Sequence, residues 1–167
     1  MNKYYYLVAT LPYLVFGEKP PISKKAFLAE CEKWLSEKEI KIFSSAGADY
    51  DDISENDTPF VLGWKEFNTR LCNELASSRG AEEAALSGMP GSSEVKKILE
   101  KENPLIMEKA LEEIRWEYIE GKSRGFFFDF DALLAYFLKL GILERLAEFD
   151  KDEGEKYFYE FCEVKHE

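Results

Sequence analysis

The sequence predicts an all-α protein, a compact multi-helix domain of about seven helices with a short N-terminal segment that reads as extended or helical. Three observations predict it. Apolar residues recur at spacings of three and four along most of the chain. Polar caps, some followed by proline, stand in front of several of these runs. Strand-like composition occurs at one place, Tyr4 to Thr10, and no second convincing strand is present to pair with it.

Tyr4 to Thr10 packs Tyr and Val densely, and Gly17 to Pro21 is a rigid turn. Ser23 caps a helix running to about Leu35, with Phe27, Leu28, Cys31, Trp34 and Leu35 on one face. Ser36 and Glu39 form a capping box that opens a helix through Phe43. An acidic loop from Ala46 to Asp57 follows, bearing Asp49, Asp51, Asp52, Glu55 and Asp57 and no basic residue. Asp57-Thr58-Pro59 then starts a helix to about Ser78, with Phe60, Trp64, Phe67, Leu71 and Leu75 as its apolar stripe.

Gly80 to Ser93 is small and polar, and it is the natural linker. The domain expected is a single helical unit, 1–167, with a division into lobes 1–79 and 94–167 about linker 80–93 as the alternative. Ser93 caps a short helix to about Lys101, and Asn103-Pro104 opens the next. Met107, Ala110, Leu111, Ile114 and Tyr118 line one face of that helix, and Gly121 is expected to end it in a left-handed conformation. The connector Gly125 to Phe128 is hydrophobic. Asp129 or Asp131 caps a long helix through Glu148, weakened in its middle by Gly141, and a last helix runs from about Asp152 to Val164.

The net charge of −11 disfavours contact with nucleic acid and with anionic membrane surfaces. The apolar run from Tyr4 to Phe16 is shorter than the ~18 residues of a spanning helix, and no direct membrane insertion is expected. Three cysteines, Cys31, Cys72 and Cys162, lie far apart and form no C-x-x-C pair, so reduced thiols on helix faces of a cytoplasmic protein are expected. No Gly-rich phosphate loop is present. The acidic loop fails the calcium-loop pattern, because position six from Asp49 is Ser54 and position twelve is Phe60. The single histidine, His166, is one residue from the end. No catalytic, cofactor or metal residues are therefore assigned. The three tryptophans, Trp34, Trp64 and Trp116, are expected to be mainly buried.

Two groups of motifs carry a resemblance. One is Tyr4-Tyr5-Tyr6-Leu7-Val8-Ala9-Thr10-Leu11-Pro12 with Phe16-Gly17 and Pro20-Pro21-Ile22-Ser23. The other is Asn103-Pro104-Leu105, Glu108-Lys109-Ala110-Leu111, Arg115-Trp116 and Phe128 to Tyr136 through Arg145. Together they resemble a bacterial family of unknown function encoded among V/A-type ATPase subunits. That family in turn looks like a divergent form of the socket component of V-type ATP synthases, the eukaryotic d subunit, which sits on the rotor ring as a helical funnel and receives the central stalk. The resemblance implies a non-catalytic accessory or coupling subunit whose partners are central-stalk or rotor-ring subunits. It also implies a cytoplasmic place, peripheral to the inner membrane through a protein complex. An assembly or regulatory adaptor of the same ATPase is a second reading, and a stand-alone carboxylate-based hydrolase or metal-dependent enzyme a third. The residues expected to contact the partner are the aromatic connector Phe126, Phe127 and Phe128, joined by Asp49, Asp51, Asp52 and Asp57 of the acidic loop.

Overall fold

The computed structural model describes residues 3–48, 50–78, 95, 97, 98, 100 and 103–149. Among these the secondary structure is wholly helical. Six helices run in chain order: α1 Lys3–Thr10, α2 Lys24–Cys31, α3 Glu37–Ala46, α4 Pro59–Ser78, α5 Pro104–Ser123 and α6 Phe130–Glu148. Val95, Lys97 and Ile98 are also helical. The expected linker 80–93 and the expected last helix, Asp152 to Val164, lie outside the described residues, as do Asp49, Cys162 and His166.

The N-terminal segment is a helix, α1, rather than a strand. Its β-favouring residues have no strand to pair with, and burying Leu7 against the core supplies the stabilisation that propensity does not. Four of the caps expected from sequence form in the fold, and the cap expected at Ser93 lies outside the described residues. Ser23 Oγ accepts from the Ala26 amide, Ser36 and Glu39 complete their reciprocal box, Asn103 Oδ1 accepts from the Leu105 amide, and Asp129 Oδ1 accepts from the Ala132 amide. Two boundaries differ. The α2 helix stops at Cys31 and a turn carries the chain to Ser36, so the helical spacing does not extend to Trp34. Gly121 lies inside α5, which continues to Ser123, and among the described residues Gly17 is the glycine that takes a positive φ, +82°.

The centre of the fold is α6. Leu133, Leu134, Ala135, Phe137, Leu138, Leu140, Ile142 and Leu143 are all buried, so this helix is enclosed on most of its circumference. It packs on α5 and on α1, α2 and α3, while α4 packs on α3 and α5. Phe27, Phe43 and Phe137 form a ring cluster with centroids 5.2 to 6.1 Å apart. This core unites residues from both sides of 80–93, Leu7 and Phe27 with Leu133 and Leu143. A smaller cluster joins Leu71 of α4 to Val95, Ile98, Ala110 and Leu111. Long-range polar contacts fix the shorter elements on α6. The Tyr136 hydroxyl donates to the Pro12 carbonyl at 2.9 Å, Glu144 accepts from the Lys24 amide at 2.7 Å, and the Thr58 hydroxyl donates to Asp131 at 3.0 Å.

Candidate functional site

In so acidic a chain, chemistry would rest first on carboxylates, and two deeply buried ones among the described residues have structural partners. Asp57, expected in a solvated acidic loop, has a fully buried side chain. Its Oδ2 pairs with Lys65 Nζ at 2.8 Å and accepts from the Ser54 amide at 3.0 Å. Lys65 is itself buried and also donates to the Ser45 hydroxyl and the Asp52 carbonyl. Burial pushes the Asp57 carboxyl up, but hydrogen bonds from Lys65, Ser45 and the Ser54 amide, with the Lys65 charge, outweigh it and hold the group below the usual range. The other pair is Glu112 with Arg115, at 2.8 Å, with Arg115 Nε also donating to Asn68 at 2.9 Å. Here desolvation wins over the Arg115 and Arg145 charges, and the Glu112 carboxyl is raised. The thiol of Cys31 is pushed by burial up to about 12, which removes it as a nucleophile at neutral pH, and Cys72 is exposed. Among the described residues there is no group of three or more His, Cys, Asp or Glu that could hold a metal ion.

The feature that stands apart from the packed core is aromatic and exposed. Trp34, 49% exposed, stacks on Tyr6 with centroids 6.3 Å apart and ring planes 12° from parallel. Tyr6 meets Tyr5 edge-on at 5.8 Å, and Tyr5 meets Phe128 at 4.6 Å. These four rings form one surface band that crosses from the α2–α3 turn over α1 to the α5–α6 connector. Beside its connector end, Phe127 and Tyr13 are 70% and 87% exposed and line a groove of about 400 Å³ with Leu11, Pro12, Phe126 and Tyr136. The hydroxyl of Tyr136, pushed by burial up to about 12, stays protonated and ties the Pro12 wall of the groove to α6.

The band has a simple local origin. On α1, Tyr4 and Leu7 face inward, three residues apart, so Tyr5 and Tyr6 must point outward. Trp34 is exposed because it stands beyond the end of α2; the expectation that all three tryptophans are buried holds for Trp64 and Trp116 only. The connector is divided: Phe126 packs edge-on against Phe60 at 5.3 Å and belongs partly to the core, whereas Phe127 and Phe128 face solvent. Of the loop acids, Asp51 and Asp52 are exposed, Asp57 is turned inward, and Asp49 is outside the described residues. The residues expected at the partner contact are thus split, with Phe126 and Asp57 spent on the fold. Tyr5, Tyr6, Tyr13 and Trp34 are absent from the sequence-based expectation, although three consecutive tyrosines on one short helix cannot all reach one core.

A protein-family model carrying the description "Protein of unknown function (DUF2764)" matches residues 87–166. The match covers a little under half of the chain and takes in the α5–α6 hairpin with Phe126, Phe127 and Phe128. No curated protein and no solved structure matches the chain significantly. No helix among the described residues is long and apolar enough to cross a membrane.

Proposed function

We propose that this chain is a non-catalytic docking or coupling subunit, and that the aromatic band with its adjoining groove is the surface that receives a protein partner. The observation that carries the reading is the exposure of Tyr13 and Phe127 beside the connected rings of Trp34, Tyr6, Tyr5 and Phe128. Large rings clustered on a surface are a typical anchor chemistry of interfaces, because each buries much area at small cost in side-chain entropy. The partner follows from the sequence resemblance: a central-stalk or rotor-ring subunit of a V/A-type rotary ATPase, reached from the cytoplasmic side. An adaptor that leaves the same ATPase after assembly would use the same surface, and the stoichiometry of the purified complex separates the two roles. The hydrolase reading is less favoured because Asp57 and Glu112, the deeply buried acids, are committed to Lys65 and Arg115.

The test is a pull-down from native membranes with the tagged full chain and a Tyr13→Ser/Phe127→Ser variant. Wild type retains stalk or ring subunits; the variant, folded by circular dichroism, loses at least about tenfold of that retention, as expected when two hot-spot anchors go. A wild-type chain that retains no ATPase subunit overturns the partner. A folded variant that binds as wild type overturns the surface.

A further inference from the structure

We propose that the cleft bounded by the start of α2, the end of α3, α5 and α6 binds a small phosphoryl oxyanion, held by Lys24, Arg115 and Tyr50. The cleft has a volume of about 160 Å³. A water needs only about 10–15 Å³ of such space, so the cleft has ample room for a phosphate-sized group.

The charge that lines the cleft is opposite to that of the molecule. The chain carries a net −11, yet the lining includes three cations, Lys24, Arg115 and Arg145, against one carboxylate, Glu112. Glu112 does not cancel them. Its Oε1 is shared between Arg115 Nη1 at 2.8 Å and Arg145 Nε at 3.4 Å. Two more acids lie nearby: Glu108 pairs with Arg145 Nη2 at 3.4 Å, so Arg145 is shared between two carboxylates, and Glu144 accepts from the Lys24 backbone amide at 2.7 Å.

Donors remain after these pairings. The Arg115 side chain is 9% exposed, so it is more than nine-tenths buried, and it is fixed by Asn68 on Nε and Glu112 on Nη1. Its Nη2 has no hydrogen-bond partner among the described residues. The Lys24 ammonium lies over the Phe137 ring at 4.4 Å and has no carboxylate partner among the described residues. Tyr50 meets Trp64 edge-on at 6.3 Å, and its hydroxyl has no hydrogen-bond partner among the described residues. Burial raises the Tyr50 phenol, which keeps it a donor at neutral pH.

A fixed guanidinium, an ammonium and a phenol are donors from which phosphate oxygens accept. They come from separate elements around one small space, which suits a tetrahedral group better than a flat carboxylate. The pre-fixed arginine lowers the ordering cost of binding.

Titration calorimetry at constant ionic strength on the full chain tests the site, with inorganic phosphate, methyl phosphate and chloride as probes. Saturable one-to-one binding of inorganic phosphate is expected, with chloride not competing. Binding of inorganic phosphate alone assigns the site to the free ion, and equal binding of methyl phosphate assigns it to the phosphoryl head of a larger molecule. Lys24→Gln weakens phosphate binding by at least about tenfold and Tyr50→Phe by several-fold, because each removes a donor. Tyr50→Phe leaves the phosphate-free melting temperature near that of wild type, since the hydroxyl has no hydrogen-bond partner among the described residues, and Lys24→Gln lowers it only slightly, through loss of the ammonium–Phe137 contact. Absence of saturable binding to wild type, or unchanged binding in both folded variants, overturns the proposal.

Discussion

Asp57 and Lys65 illustrate how far a single residue can depart from its sequence context. The loop that carries Asp57 holds no base, but Lys65 lies two helical turns into α4 and returns to it, burying both charges. Breaking a buried pair from one side strands the other charge, which costs about 3–5 kcal/mol. Asp57→Asn is therefore expected to lower stability by that order, measured by urea denaturation at pH 7, with a double-mutant cycle to Lys65→Met showing coupling. The surface acids behave differently: Asp51→Asn and Asp52→Asn are expected to change stability by less than about 0.5 kcal/mol. Glu112 and Arg115 were also illegible as buried residues. Their spacing of three places them on one side of α5, but a charged pair at that spacing is ordinarily solvated, and only the packing of α4 and α6 over it closes it off.

Helices were legible wherever a cap preceded an apolar stripe, because both signals are local. The box at Ser36 and Glu39 is such a case, and Ser36→Ala is expected to cost about 1 kcal/mol in thermal or urea unfolding. Helix ends were less legible. Gly121 reads as a stop in sequence, yet nothing in the surroundings requires it to leave the helical conformation, and α5 runs on to Ser123. Trp34 continues the apolar spacing of α2, but the helix itself has already ended at Cys31. In α6 the central glycine has a spatial counterpart: a methyl group at Gly141 would come within 3.5 Å of Lys24 Nζ, an ordinary contact with the end of a flexible side chain. Gly141→Ala is thus expected to stabilise the protein by up to ~1 kcal/mol through helix propensity, read as a higher urea midpoint at unchanged slope.

At the scale of the whole molecule, the titrating groups act in opposite directions on stability. The carboxyl of Asp57 is lowered, so its contribution is present above the ordinary aspartate range and lost as pH falls through its own depressed value. Glu112 and Asp131 are raised, chiefly by burial, so the folded chain binds their protons more readily than the unfolded chain does. Their cost is fully present above their raised values and is relieved as pH falls toward the ordinary range. Stability is therefore expected to rise slightly on mild acidification from pH 7 and then fall below about pH 4, with Glu112→Gln flattening the rise and Asp57→Asn the fall. The all-α class was legible because helical periodicity and capping repeat along the chain, whereas the band of exposed rings was not: it joins Trp34, Tyr6, Tyr5 and Phe128 from three separate segments that only the folded arrangement brings side by side. That band with its adjoining groove is the central claim, and site-specific photocrosslinking from the groove tests it most directly. A photoreactive phenylalanine analogue in place of Phe127, in the full chain in native membranes, is predicted to crosslink to a stalk or rotor-ring subunit, and the same probe at the exposed Glu66 of α4 is predicted not to. Crosslinks from Phe127 to no protein, or to the same proteins as from Glu66, would contradict the account.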